Sequence, residues 1–126
     1  MPTLPWTVST PPPEGADVHV FASRFETRTR WGALRFFLGT PAVRRQVATA
    51  PGAYGASLRA APLRRTFWTV SAWESPEALR AFARSGPHGP AARRLAATMK
   101  DKRYASWRAP ADGLPVAWDE VLRRLG

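Results

Sequence analysis

Arg65–Met99 reads RTFWTVSAWESPEALRAFARSGPHGPAARRLAATM, and its reading decides the fold. The first ten residues alternate. Phe67, Thr69, Ser71 and Trp73 point one way, and Thr66, Trp68, Val70 and Ala72 the other, which is the period of a strand. Ser75-Pro76-Glu77 then starts a helix: Ser as N-cap, Pro at the first helical position, Glu at the positive end of the dipole. Ala78, Leu79, Phe82 and Ala83 make its apolar stripe, with Arg80 and Arg84 outside. Ser85-Gly86-Pro87 stops this helix and presents His88, seven residues before Leu95 on the inner face of a second helix that runs to Met99. The strand's two faces differ. Hydroxyls between aromatics suit a cavity wall; Val70 and Ala72 suit a helix-packed core.

Upstream, DVHVFASRF (17–25) alternates in the same way, with His19, Phe21, Ser23 and Phe25 on one side and Val18, Val20 and Ala22 on the other. Trp31, Leu34, Phe37 and Leu38 recur at helical spacing, Gly39-Thr40-Pro41 interrupts, and the pattern resumes to Pro51-Gly52. Two short helices or one broken helix are expected there. AYGASLRAA (53–61) is a weaker strand, and its position makes it an antiparallel hairpin with the strand that follows. Downstream, Tyr104–Ala109 reads as a short last strand, with Tyr104, Ser106 and Arg108 on one side. Pro115–Leu125 reads as an amphipathic helix. Residues 1–16 form a proline-rich arm that cannot sit inside a sheet, with Trp6 as its anchor, and residues 17–126 form one domain.

The resulting order is the βαββαβ plan of an α+β, ferredoxin-like antiparallel sheet with helices on one face and an extra C-terminal helix. The aromatics Phe21, Phe67 and Trp73 on the face left open would form a patch too large for a monomer, so a homodimer closing an α+β barrel is expected.

Composition excludes several classes. The chain has no cysteine, so it forms no disulfide and uses no thiolate. No apolar run is long enough to span a bilayer, and the first residues lack a signal peptide's basic and apolar regions, so a cytoplasmic protein with no membrane partner is expected. The net charge is +10, but 17 of the 19 basic residues are Arg, scattered over separate elements rather than gathered on one face. No specific nucleic-acid site follows from such scatter. Phosphate loops, paired metal-ligand histidines and nucleophile elbows are absent from the sequence.

The segment FWTVSAWESPEALRAFARSGPHGPAARR resembles the dimeric α+β barrel superfamily, which includes antibiotic-biosynthesis monooxygenases, haem-degrading monooxygenases and chlorite-dismutase-like proteins. More narrowly, it is similar to actinobacterial proteins related to spheroidene monooxygenase. Resemblance to the haem-degrading group implies His88 as an axial iron ligand with Trp73 near the pocket. Resemblance to the cofactor-free, quinone-forming group implies a metal-free pocket lined by Trp, Tyr and polar residues. Both groups use an Asn on the first strand, and this chain has none there.

Chemistry therefore falls to few side chains. His88 is the first candidate, as acid/base or as haem ligand, because imidazole titrates near neutrality. Tyr54 and Trp73 are candidates beside it, with His19, Phe21, Phe67 and Phe82 as substrate-binding residues. The function expected is a monooxygenase-like oxidoreductase acting on a small hydrophobic aromatic or polyene metabolite of secondary metabolism, with haem or no cofactor. A non-catalytic dimer that binds haem or a metabolite, and a cofactor-free cyclase or isomerase, are the alternatives.

Overall fold

A computed structural model describes residues 3–61, 64–84 and 99–125. Five strands form one antiparallel sheet: β1 (Thr3–Val8), β2 (Asp17–Thr27), β3 (Ala53–Ala61), β4 (Thr66–Trp73) and β5 (Met99–Pro110), in the order β1-β3-β4-β2-β5. Setting β1 aside, the last, first, third and second strands of the βαββαβ plan lie side by side, which is the ferredoxin-like order. Helix α1 (Arg30–Thr49) links β2 to β3, α2 (Pro76–Arg84) follows β4, and α3 (Trp118–Leu125) closes the chain after a 3-10 turn at Ala111–Gly113.

Local chemistry sets these boundaries. Thr29 caps α1, its hydroxyl accepting from the Gly32 amide at 3.0 Å. The helix then runs unbroken through Gly39-Thr40-Pro41, where the sequence suggested an interruption. Pro41 is exposed, so the carbonyl it leaves unbonded one turn earlier can be hydrated instead of ending the helix. Ser75 caps α2 as expected, accepting from the Ala78 amide at 3.2 Å. Gly52, in the turn into β3, has φ +79°, and a Cβ there would stand 2.7 Å from that of Ala78. Only glycine fits this junction of β3 with α2.

The two sheet faces are covered from opposite sides, and the register shows which residues go where. Phe25 and Phe67 face each other across β2 and β4, their rings stacked at 5.5 Å, and pack with Ala60 against Ala33 of α1. Trp73 packs at 5.0 Å on Phe82 of α2, with Val47, Ala78 and Leu79 around them. Val18, Val20, Ala22, Val70 and Ala72 lie on the other face under Val121 and Leu125 of α3.

The aliphatic face is helix-packed as the sequence suggests, whereas the aromatic–hydroxyl face, expected to be left open, is covered as well. The aromatic–hydroxyl face lies under α1 and α2, and the aliphatic face under α3. The physical reason is size. α3 has two turns and covers small side chains closely, whereas the large rings fill the wider space under two helices. The patch expected to demand a second copy is covered in part by the chain's own helices: Phe67 and Trp73 are almost wholly buried within one molecule.

Two further differences concern the ends. Part of the proline-rich arm pairs with β3 as edge strand β1, where a residue without an amide donor is tolerated. Trp6 anchors it by lying flat over Gly55, so close that a Cβ at residue 55 would fall on the indole. Met99, read as the end of a helix, instead opens β5, which has 12 residues and pairs with β2 along its whole length. The second helix expected before it, with His88, lies outside the described residues.

Candidate functional site

β2 and its two neighbours carry the polar part of the face under α1 and α2. His19 stands between Trp73 of β4 and Arg108 of β5, Phe21 between Ser71 and Ser106, and Ser23 between Thr69 and Tyr104. Alternate residues on a strand are about 6.5 Å apart, so the imidazole is one side-chain step from Phe21 and two from Ser23. The centre of the face is hydrogen-bonded: Ser23 pairs with Thr69, and the Trp73 indole N–H donates to the Ser71 hydroxyl at 2.8 Å. Phe21 and Tyr104 stack at 5.7 Å with their planes 27° apart. Tyr104 is 58% exposed, so this pair is an aromatic platform open to solvent along the β5 side.

His19 is the titratable group of this arrangement. Partial burial pushes its pKa below the usual imidazole value, and the positive charges of Arg80 on α2 and Arg108 on β5 push the same way, against an opposing effect of Glu77. Burial and the two arginines together favour the neutral imidazole. A neutral ring beside an accessible aromatic platform can accept a proton from a bound molecule.

The residues singled out from sequence are distributed as follows. His19 and Phe21 line the open platform. Trp73, Phe67 and Phe82 are brought to the same face but packed into its core, Trp73 with its N–H already donated to Ser71. Tyr54 is on the opposite face with Val70, Ala72 and the α3 residues, and burial raises its pKa. The sheet separates it from His19. His88 lies outside the described residues.

Tyr104, Arg108 and Arg80 join His19 only through the fold. The alternation of β5 had put Tyr104 and Arg108 on one side, and the ferredoxin-like order sets β5 beside β2, so the signal that joins them to His19 lay in the topology rather than in a local motif. Among the described residues no three His, Asp or Glu side chains come together as a metal site, and no helix is long and apolar enough to cross a membrane.

No family model matches the chain, and none of the curated proteins is similar to it. Solved structures are. An asparagine-to-alanine variant of SnoaB, a cofactor-independent oxygenase from Streptomyces nogalater, superposes with a TM-score of 0.60 at 20% identity, over 75% of this chain and 94% of that one. A Nitrosomonas europaea protein, provisionally named an antibiotic biosynthesis monooxygenase, gives 0.61 at 15% identity, over 71% and 95%. A provisionally named monooxygenase from Lactobacillus acidophilus gives 0.64 at 10% identity, over 78% of this chain and 47% of the other. Such low identities speak for architecture alone: the chain has the ferredoxin-like α+β fold of proteins named as antibiotic-biosynthesis monooxygenases and a cofactor-independent oxygenase.

Proposed function

We propose that the chain is a small monooxygenase-like oxidoreductase acting on a hydrophobic aromatic or polyene metabolite. The observation that carries this reading is the placement of His19, in surroundings that favour its neutral form, beside the Phe21–Tyr104 platform on the face covered by α1 and α2. The ring system of a substrate lies on the platform, and His19 takes a proton from an activated CH2 next to it. The carbanion reduces O2, the resulting peroxide loses water, and CH2 plus O2 becomes C=O plus H2O. Burial, with Arg80 and Arg108, favours the neutral imidazole beforehand, and the two arginines favour the negative charge that develops on substrate.

His88 keeps its proposed place as a second acid/base group or as an iron ligand. Among the described residues His19 is the one imidazole. Homodimerisation belongs to the same proposal. α3 packs over β2 and β5, so a partner copy would meet the β1–β3–β4 side of that face. A cytoplasmic enzyme of secondary metabolism is the matching context.

The deciding experiment is oxygen uptake by the purified protein with a panel of hydroxylated polycyclic aromatics and polyenes, with and without added hemin. Stoichiometric O2 consumption without hemin, lost in His19→Ala, is the expected result. Turnover without O2 uptake would replace the oxygenase by an isomerase or cyclase. Binding of the compounds with no turnover would replace it by a carrier. A Soret band formed with hemin and lost in His88→Ala would move the chemistry to iron.

A further inference from the structure

Helix α1 is oriented against the usual rule. Gly32, Ala33 and Val47 face the sheet, and they are small or mid-sized. Trp31, Leu34 and Leu38, at spacings of three and four, point to the opposite side and are 67%, 46% and 72% exposed. At 100° per residue the centre of this stripe is about half a turn from the centre of the buried one. The helix thus shows its largest described apolar side chains to the outside, as one continuous row.

The charges beside the row are of one sign. Arg30, Arg35 and Arg45 flank it and are exposed, and α1 contains no Asp or Glu in its 20 residues. A second copy docking through this face about a twofold axis would set these arginines against their own counterparts, with no acidic side chain on the helix to answer them. The occupant must supply apolar depth and negative charge together.

We propose that α1 seats the protein on an anionic lipid surface, with Trp31, Leu34 and Leu38 entering the boundary between headgroups and acyl chains and Arg30, Arg35 and Arg45 on the lipid phosphates. Tryptophan suits that boundary because its ring is apolar and its N–H can stay hydrated. The long arginine stems extend from the helix flanks to the headgroup level. The net charge of +10 adds attraction at longer range. This is attachment to a surface and replaces the expectation of no membrane partner; among the described residues no helix is long and apolar enough to cross a bilayer. It holds whatever reaction the site catalyses.

The test is co-sedimentation of the full chain with phosphatidylcholine vesicles, with and without phosphatidylglycerol, at low and physiological salt. Binding is expected with phosphatidylglycerol only, and it should weaken as salt rises. Arg30→Gln with Arg35→Gln should reduce the affinity about fivefold per arginine. Trp31→Ser with Leu38→Ser should reduce it at least about tenfold. All four positions are exposed, so unchanged far-UV circular dichroism is expected of both variants and is to be checked. Equal binding to neutral vesicles, no binding to anionic ones, or wild-type binding by the Trp31/Leu38 variant would overturn the proposal. So would a fall in oligomeric mass in that variant, which would assign the row to a contact between protein chains.

Discussion

His19 lies between Trp73 and Arg108 on neighbouring strands, and its environment has a consequence for pH. Its folded pKa lies below 6.5, so the unfolded chain holds more protons in the window between the two values. Stability should therefore fall as pH drops from 6.5 through the folded pKa, and His19→Gln should flatten that part of a Tm–pH curve. Under the proposed reaction, kcat/KM should follow the neutral form, rising with pH through a midpoint below 6.5. His19→Ala should lower kcat by about 10²–10⁴-fold, the usual worth of a general base. Trp73 makes a contrast at the same scale. It is 1% exposed, and Trp73→Ala should cost about 3–5 kcal/mol in urea unfolding, whereas the platform residue Tyr104 should be replaceable by Ser with little loss of stability.

Among the elements, the strand β4 and the cap of α2 were legible in the sequence because the information is local. Alternation over eight residues and a Ser-Pro-Glu start need no partner to be read. The course of α1 was not legible, because whether Pro41 ends a helix depends on which side faces water. The full length of β5 was hidden for another reason. KDKR (100–103) is a poor strand former by composition, yet it is held by pairing with β2, helped by ion pairs of Arg24 with Asp101 at 3.4 Å and Lys100 with Glu26 at 3.7 Å. These pairs are exposed, so the backbone ladder is the main support. The junction at Gly52 offers a direct check. Gly52→Ala combines a positive φ with overlap on Ala78 and should destabilise by more than about 1 kcal/mol, with α2 rather than α1 displaced in amide exchange.

For the whole molecule, the ferredoxin-like plan followed from element order alone, and the observed strand order agrees with it. Which face received which helix did not follow. Both faces of β2 and β4 are apolar enough to be covered, and only the position of α3 decides between them. The candidate site was half legible for the same reason. His19 and Phe21 share a strand and were paired by alternation; Arg108 and Tyr104 join them from a strand some 80 residues later, through topology. Tyr54 lies on the face opposite His19, next to a shift in the register of β3 against β4 between Ala53 and Gly55 that alternation alone does not reveal. Light scattering at micromolar concentration addresses the proposed assembly. A twofold mass is expected, and a monomer would remove the partner copy from the proposal.

The edge strand β1 bears on how the chain is made. Trp6 is synthesised some fifty residues before Gly55 and the rest of β3, and only when these have followed can the indole find its seat. The wait is longer for β2, whose neighbour β5 comes last of all the strands. Contacts so distant in sequence make folding slow, and during that interval β2 and Trp6 are exposed together on the nascent chain. The segment from β1 to β2 is therefore where a holdase chaperone would be expected to bind during translation, and where substitutions would lower yield without changing the finished protein.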